Sequence, residues 1–357
     1  MTPTTPAGID EHAASLVAEL LELAGAQANR DLLRDILVTG LALGHIDASR
    51  LDLKIAASAL AEMGRAFDLF SHYRGIPKLT MFGSARTAVS DPLYAQAVDL
   101  AARMAREDWL VVTGAGPGIM AAGADGAGPD MSLGVEIRLP FETESHPQLA
   151  AEGRVVEMKY FFTRKLMLMK ESAAFAVLPG GFGTLDECFE LLTLLQTGKA
   201  EPAPIVLLDL PGDPYWEGLE RFLSEVTRRG LVDREDAALY LITDDVGIGV
   251  EEILGFYRNY HSRRFVGPTM VIRCKMGPTD KQLAALNDQF ADICTSKGIW
   301  RTGPLPPERA QHDNLDLKRI ALEFDRRSHG RLRMMINEMN AWPLTAEAQK
   351  ASSPPSS

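Results

Sequence analysis

Residues 173–196 read AAFAVLPGGFGTLDECFELLTLLQ, and this stretch decides the fold of the chain. An apolar run typical of a buried strand, residues 173–178, leads through the glycine-rich turn 179–184 into an amphipathic run, residues 186–196, that predicts a helix. This layout holds phosphates, because glycines let the backbone approach an anion and the first helical N–H groups point at it. Thr184 adds a hydroxyl donor to the same turn.

Glu187 is an unusual residue for such a turn, since a carboxylate beside a bound phosphate repels it. Its position indicates that it faces another part of the ligand and acts chemically there. The alternative is a tight connection between strand and helix, in which Glu187 is merely favoured by the helix dipole.

Two further turns of small residues follow predicted strands. Residues 83–86, Gly-Ser-Ala-Arg, come after the strand predicted over 78–82, and residues 114–118, Gly-Ala-Gly-Pro-Gly, come after the strand predicted over 109–113. One such turn is weak support for a nucleotide site, but three at the ends of parallel strands can converge on one ligand. The sequence therefore predicts a nucleotide or phosphosugar site.

The fold class predicted from these patterns is α/β. Residues 75–262 alternate strands and helices, which predicts a Rossmann-like parallel sheet with helices on both faces. Residues 10–74 form an N-terminal helical segment, and residues 265–343 follow the order β-α-β-β-α of a small α+β, ferredoxin-like module. Residues 1–9 and 344–357 have the composition of disordered ends.

Composition excludes several classes of protein. A net charge of −11, from 37 basic and 48 acidic residues, argues against a partner such as nucleic acid or an acidic membrane. The three cysteines are far apart and lack metal-type spacing. With no evident signal peptide and no apolar run long enough to span a bilayer, we expect a cytoplasmic protein.

The run Tyr-Phe-Phe-Thr-Arg-Lys at 160–165, followed by residues 179–187, resembles the LONELY GUY family. These proteins are cytokinin riboside 5′-monophosphate phosphoribohydrolases, long labelled as lysine decarboxylases. The family pattern Pro-Gly-Gly-x-Gly-Thr-x-x-Glu, preceded by an Arg-Lys pair, is intact here. The resemblance covers about residues 75–260, and the Phe-Phe pair together with residues 132–140 is similar to the longer bacterial branch.

The resemblance implies hydrolysis of the N-glycosidic bond of a nucleoside 5′-monophosphate, such as AMP or an N6-modified AMP, to free base and ribose 5-phosphate. It implies that Glu187 stabilises the ribosyl cation and activates water, while Arg164 keeps Glu187 ionised and binds substrate. It also implies a homodimer or higher homo-oligomer, and neither a metal nor an organic cofactor. The residues expected to bind substrate and phosphate are Gly83, Ser84, Gly116, Gly118, Lys165, Gly180, Gly181, Gly183 and Thr184.

Two alternatives remain at this stage: a nucleotide-binding or carrier protein without catalysis, and a sensor whose C-terminal module binds a small effector. A pyridoxal decarboxylase is disfavoured because Lys165, the best candidate for a Schiff base, lies within the phosphoribohydrolase pattern. A dehydrogenase is disfavoured because residues 114–118 depart from the G-x-G-x-x-G fingerprint. The preferred base is not evident from the sequence.

Overall fold

A computed structural model describes residues 11–138 and 147–343 of the chain. The chain divides into two compact units, Met1–Gly64 and Arg65–Ser357. The predicted disordered ends, residues 1–9 and 344–357, lie outside the described residues.

The first unit is helical, as predicted. It contains α1 (Glu11–Leu23), α2 (Arg30–His45) and the start of α3 (Arg50–Ser71), which continues into the second unit. Val17, Leu21 and Val38 form a small core in which α1 packs against α2. Because apolar residues recur with helical period in this segment, its helices were predictable from the sequence.

The second unit contains a seven-stranded sheet in which every pair of neighbours is parallel. The strand order is β4-β3-β2-β1-β5-β6-β7. The chain adds strands on one side of β1 and then, from β5 onward, on the other side, so the order reverses between β1 and β5. The strands are β1 (Lys78–Phe82), β2 (Leu110–Thr113), β3 (Ser132–Ile137), β4 (Val155–Met158), β5 (Ala174–Val177), β6 (Ile205–Leu208) and β7 (Leu241–Thr243).

Helices flank this sheet, and the predicted Rossmann-like α/β class is confirmed. Every residue of β1, β2, β5 and β6 is buried, as expected for a parallel sheet covered by helices. The flanking helices are α4 (Pro92–Arg106), α5 (Ile119–Ala127), α6 (Pro147–Ala151), α7 (Phe161–Lys170), α8 (Phe182–Gln196), α9 (Tyr215–Arg228) and α10 (Val246–Phe256).

A second, antiparallel sheet follows α10, with the strand order β10-β11-β9-β8. Its strands are β8 (Tyr260–Val266), β9 (Thr269–Cys274), β10 (Cys294–Thr302) and β11 (Lys318–Phe324). Its helices are α11 (Asp280–Phe290), the short α12 (Pro306–Ala310) and α13 (His329–Asn340). From β9 onward the order is the predicted β-α-β-β-α, with α12 in the connection between β10 and β11.

The apolar pattern of the sequence predicts a helix over 246–260, whereas α10 ends at Phe256 and β8 begins at Tyr260. Helix α10 ends because the backbone N–H groups that follow it donate hydrogen bonds to another element. The N–H groups of Asn259 and Tyr260 both donate to the side-chain oxygen of Asn340 in α13, at 3.0 and 2.8 Å. This contact with a residue far away in the chain overrides the local helical pattern.

The two sheets share one hydrophobic core. A continuous cluster of buried side chains runs from Leu79 and Val111 in the parallel sheet through Phe256 to Ile320 and Met335 in the antiparallel part. Within the described residues, no helix is both long enough and apolar enough to cross a membrane.

Candidate active site

The three small-residue turns lie side by side, because β2, β1 and β5 are neighbours and parallel. The backbone N–H of Ser84, after β1, donates to the carbonyl of Pro179, after β5, at 3.1 Å. The N–H of Ile119, after β2, donates to the carbonyl of Ser84 at 3.0 Å. Backbone hydrogen bonds therefore join the three turns at the carboxyl edge of the sheet, where ligands of such folds bind.

Glycine is required at two points of this junction. Gly118 has φ +68°, and a Cβ there would lie 2.2 Å from the carbonyl oxygen of Ser84. A Cβ on Gly180 would lie 2.2 Å from Oγ1 of Thr184. By contrast, a Cβ on Gly181 or Gly183 would meet no atom within 4 Å, so space is open beside this part of the turn.

Helix α8 begins inside the glycine-rich turn, at Phe182 rather than at the expected position 186. Its first intrahelical hydrogen bond runs from the N–H of Leu185 to the carbonyl of Gly181, at 3.0 Å. The backbone N–H groups of residues 182–184 therefore have no partner within the helix and are free to meet an anion at the positive end of its dipole.

Arg164 and Glu187 form a buried ion pair beside this helix end. Nη1 of Arg164 lies 3.1 Å from Oε1 of Glu187, and the two residues are only 9% and 8% exposed. Nε of Arg164 donates to the carbonyl of Val135 in β3 at 2.9 Å, which fixes the guanidinium from its other side. The pair predicted from the motif is thus in direct contact, on the two helices that precede and follow β5 in the chain.

Burial raises the pKa of Glu187, and the positive charges of Arg164 and Lys165 only partly oppose this effect. Desolvation disfavours the carboxylate, whereas a cation within contact distance favours it. A carboxylate whose pKa is raised binds a proton more readily, which suits a group that accepts one from water.

Lys165 makes a different set of contacts. Its Nζ lies 2.7 Å from Oδ2 of Asp186 and 2.5 Å from Oε2 of Glu190, so it ties α7 to α8. Burial disfavours its charge, but the hydrogen bonds with these two carboxylates prevail and the pKa of Lys165 is raised. The ammonium is therefore held by protein carboxylates, and its expected contact with phosphate remains a prediction.

Two side chains at the site were missed by sequence reasoning. The hydroxyl of Tyr215, the first residue of α9, donates to the carbonyl of Gly180 at 2.6 Å. Sδ of Met120, in α5, lies 4.0 Å from Nη2 of Arg164. Met120 lies two residues after the turn 114–118 and is thus marked by its place in the chain, whereas no local pattern links Tyr215 to Gly180.

Asp209 fixes the start of α9, because its Oδ2 accepts the N–H of Trp216 at 3.0 Å. Across residues 11–138 and 147–343, His, Cys, Asp and Glu side chains form no group of three or more that could hold a metal ion.

Residues 117–253 match the family described as "Possible lysine decarboxylase". A bifunctional cytokinin biosynthesis protein of Fusarium pseudograminearum is 30% identical over 184 residues, which are 46% of this chain and 37% of that protein. A cytokinin riboside 5′-monophosphate phosphoribohydrolase of Mycobacterium marinum is 29% identical over 161 residues, 43% of this chain and 84% of that protein.

Among solved structures, the molybdenum cofactor binding protein of Rippkaea orientalis is similar with a TM-score of 0.35 and 19% identity, over 49% of this chain and 93% of that one. The chain spans little more than a third of the length of the Fusarium relative. The residues that match this family model, 117–253, include both Arg164 and Glu187, and the chain is similar there to proteins named cytokinin riboside 5′-monophosphate phosphoribohydrolases.

Proposed function

We propose that the protein hydrolyses the N-glycosidic bond of a nucleoside 5′-monophosphate, AMP or an N6-modified AMP, and releases the free base and ribose 5-phosphate. The observation that carries this proposal is the buried contact between Arg164 and Glu187 beside the open end of α8. A phosphate site alone serves a carrier equally well, whereas a buried carboxylate with a raised pKa serves a reaction.

In the proposed reaction, the bond between the anomeric carbon and the base nitrogen breaks, and the base leaves with the electron pair. The ribosyl group gains oxocarbenium character, which the negative charge of Glu187 stabilises. Water adds to the anomeric carbon and gives one proton to Glu187, the departing base takes up one proton from solvent, and Glu187 then returns its proton to solvent, so that the reaction balances. No metal or organic cofactor takes part in these steps.

The 5′-phosphate lies, in this proposal, at the N-terminus of α8, against the backbone of Gly180, Gly181 and Gly183 and the hydroxyl of Thr184. Binding energy from this remote phosphate orients the sugar for reaction. Arg164 keeps Glu187 ionised and contacts the substrate. Further contacts come from the remaining predicted ligands, Gly83, Ser84, Gly116, Gly118 and Lys165.

Base release from a panel of nucleoside 5′-monophosphates and the matching nucleosides, with N6-isopentenyl-AMP included, tests the proposal. We expect release from monophosphates only, and a loss of at least about 100-fold in kcat for Glu187→Gln with nucleotide affinity largely retained. The substitution keeps size and removes only the charge. Glu217→Gln, at an exposed carboxylate of α9 that pairs with Arg221, is the matched control and should keep turnover.

Two outcomes would contradict the proposal. Turnover of Glu187→Gln within a few fold of wild type would remove the catalytic assignment. Tight nucleotide binding without release of any base would favour the carrier or sensor.

We also propose that the protein works in the cytoplasm as a homodimer or higher homo-oligomer, with residues 75–262 as the catalytic domain, 10–74 as a helical segment and 265–343 as a module that binds a small effector. Light scattering after gel filtration tests the assembly, and a mass equal to one chain of 39.0 kDa would contradict it.

A further inference from the structure

A second charged cleft lies at the edge of the parallel sheet opposite to the candidate active site. Trp109, immediately before β2, forms part of its floor, whereas the turn 114–118 follows the other end of the same strand. The cleft encloses about 550 Å³ between α4, α10 and the residue that follows β9. One face of α10 lines it, with Val250, Leu254 and Gly255.

Four charged side chains line this cleft. Three are cations, Arg103, Arg258 and Lys275, and the fourth is the carboxylate of Glu251. Arg103 is already paired, since its Nη2 lies 2.8 Å from Oδ2 of Asp99. Arg258 and Lys275 have no carboxylate within 4.0 Å among residues 11–138 and 147–343.

The helix dipole explains why cations occur at the positions of Arg103 and Arg258, but it does not explain Lys275. Arg103 lies in the last turn of α4 and Arg258 follows the last turn of α10, and both positions favour a cation through the helix dipole. Lys275 instead follows a strand and is half-buried, and burial alone lowers the pKa of its ammonium. Lys275 lines the same cleft as Arg258, and an anion within reach of both would offset the unfavourable burial of the Lys275 charge.

The floor of the cleft is aromatic and rigid. The rings of Trp109 and Tyr257 are both almost fully buried, with centroids 6.0 Å apart, and the Tyr257 hydroxyl donates to the carbonyl of Ala173 at 2.7 Å. The walls come from the surroundings of both sheets, because α4 and α10 flank the parallel sheet and Lys275 directly follows β9 of the antiparallel one. An anion held here would contact both parts of the unit.

We propose that this cleft binds a small phosphorylated metabolite, whose phosphate lies between the guanidinium of Arg258 and the ammonium of Lys275. A guanidinium offers a planar fork to phosphate oxygens and an ammonium offers a point charge, so the two together suit a phosphate group. The site is separate from the proposed active site and does not depend on the proposed reaction.

The arginines near the start of α13 fit a bound anion less well, since the structure engages several of them already. Arg331 pairs with Asp292 at 3.0 Å, Arg333 pairs with Glu252, and the guanidinium of Arg326 lies over the ring of Phe265, 4.7 Å from its centroid. Arg258 and Lys275 lack such carboxylate partners among the described residues, so the cleft suits an anion better than the start of α13 does.

Calorimetric titration of the full chain with inorganic pyrophosphate and with ribose 5-phosphate, at low ionic strength, tests the proposal. All titrations use a Gly181→Asp background, which places a carboxylate in the open space where the phosphate is proposed to lie at the candidate active site and repels an anion there. We expect millimolar or tighter binding, weakened about 10-fold by Lys275→Met and about 10-fold by Arg258→Gln. Lys275→Met keeps the apolar stem that packs on the cleft wall.

Glu251→Gln is the matched variant that removes a negative charge from the cleft instead of a positive one. It removes the one carboxylate among the four charged lining residues, so phosphate should bind about 3-fold more tightly. Equal affinity in all variants, or no binding by the parent protein at millimolar phosphate, would overturn the proposal. Loss of binding in Lys275→Met with unchanged circular dichroism and melting temperature would support it.

Discussion

Burial pushes the carboxyl group of Glu187 towards its neutral form, and Arg164 pulls it back towards the charged form. The first effect is the larger, so the pKa of Glu187 is raised. A general base works only while deprotonated, and its ability to take a proton grows with its pKa. The position of Arg164 therefore decides over which pH range Glu187 can act.

We predict that kcat/KM for base release falls on the acid side with an apparent pKa above 4.5, the ordinary value for glutamate. As the pH drops through the raised pKa, Glu187 takes up a proton and can no longer accept one from water. Rates measured between pH 4 and 8 in buffers of constant ionic strength test this. A rate that stays constant down to the ordinary glutamate range would contradict the role of Glu187.

Arg164→Ala should lower kcat/KM by about 100-fold and move the acidic limb of the pH profile to higher pH. The second effect follows because Glu187 would lose the cation 3.1 Å away that favours its ionised form. Arg228→Ala, at an exposed arginine that pairs only with Glu225 of the same helix, serves as the control. A pH profile that does not move would show that Arg164 acts on substrate binding alone.

Among the elements, the strand predicted over 78–82 agrees with β1 to the residue, since its apolar pattern has clear boundaries. The start of α8 was not predictable in this way, because Gly183 and Thr184 favour helix poorly and only the folded turn places them in its first turn. The start of β8 could not be predicted from the local sequence. Asn340, eighty residues away from Tyr260, accepts the hydrogen bonds that end α10 and let β8 begin.

The residues of the candidate site also divide into those that the local sequence identifies and those that only the fold brings together. Arg164 and Glu187 could be named from a motif, because chain neighbours identify them. The carbonyl of Val135 that holds Arg164, and the hydroxyl of Tyr215 that holds Gly180, meet their partners only through the fold. Contacts between elements far apart in the chain leave no local pattern.

Tyr215→Phe should raise KM for the nucleotide by about 3- to 10-fold, with little change in kcat. The hydroxyl that donates to Gly180 at 2.6 Å holds the turn for phosphate, and a hydrogen bond of this kind contributes about 1 kcal/mol. Tyr257→Phe is the matched control, since it removes a similar bond to Ala173 away from the site. It should lower the melting temperature and leave KM unchanged; the opposite pattern would refute the positioning role.

His329, at the start of α13, should make the protein less stable in mild acid. Burial, with help from Arg263, lowers its pKa from 6.5 to about 4. As the pH falls from 6.5 to 4, the unfolded chain binds a proton that the folded chain excludes, so stability is lost across this window. The loss is on the order of 2 kcal/mol, given that one pKa unit corresponds to about 1.4 kcal/mol.

Urea unfolding at pH 6.5 and pH 4.5 measures this effect. His329→Gln should reduce the difference in unfolding free energy between the two pH values, whereas His72→Gln, at an exposed histidine, should leave it unchanged. Identical pH dependence in wild type and His329→Gln would contradict the assignment.

For the molecule as a whole, the continuous core that joins the two sheets predicts that residues 65–343 unfold together. The chain has four tryptophans, of which Trp216 lies in α9 and Trp342 follows α13. Two single-tryptophan variants, one that keeps Trp216 and one that keeps Trp342, should show coincident urea transitions by fluorescence. Transitions separated by more than the fitting error would indicate independent domains.

Strand β8 is the first strand of the antiparallel sheet in the chain. It lies at the edge of that sheet, where it pairs with β9. A truncation at residue 265 would cut through β8 and leave β9 with an open edge, which is a template for aggregation. Dissection of the gene is therefore best made in the link between Phe256 and Tyr260. A graft of the C-terminal part onto another enzyme should carry Asn259 with it, since this residue is where the chain passes from one sheet to the other.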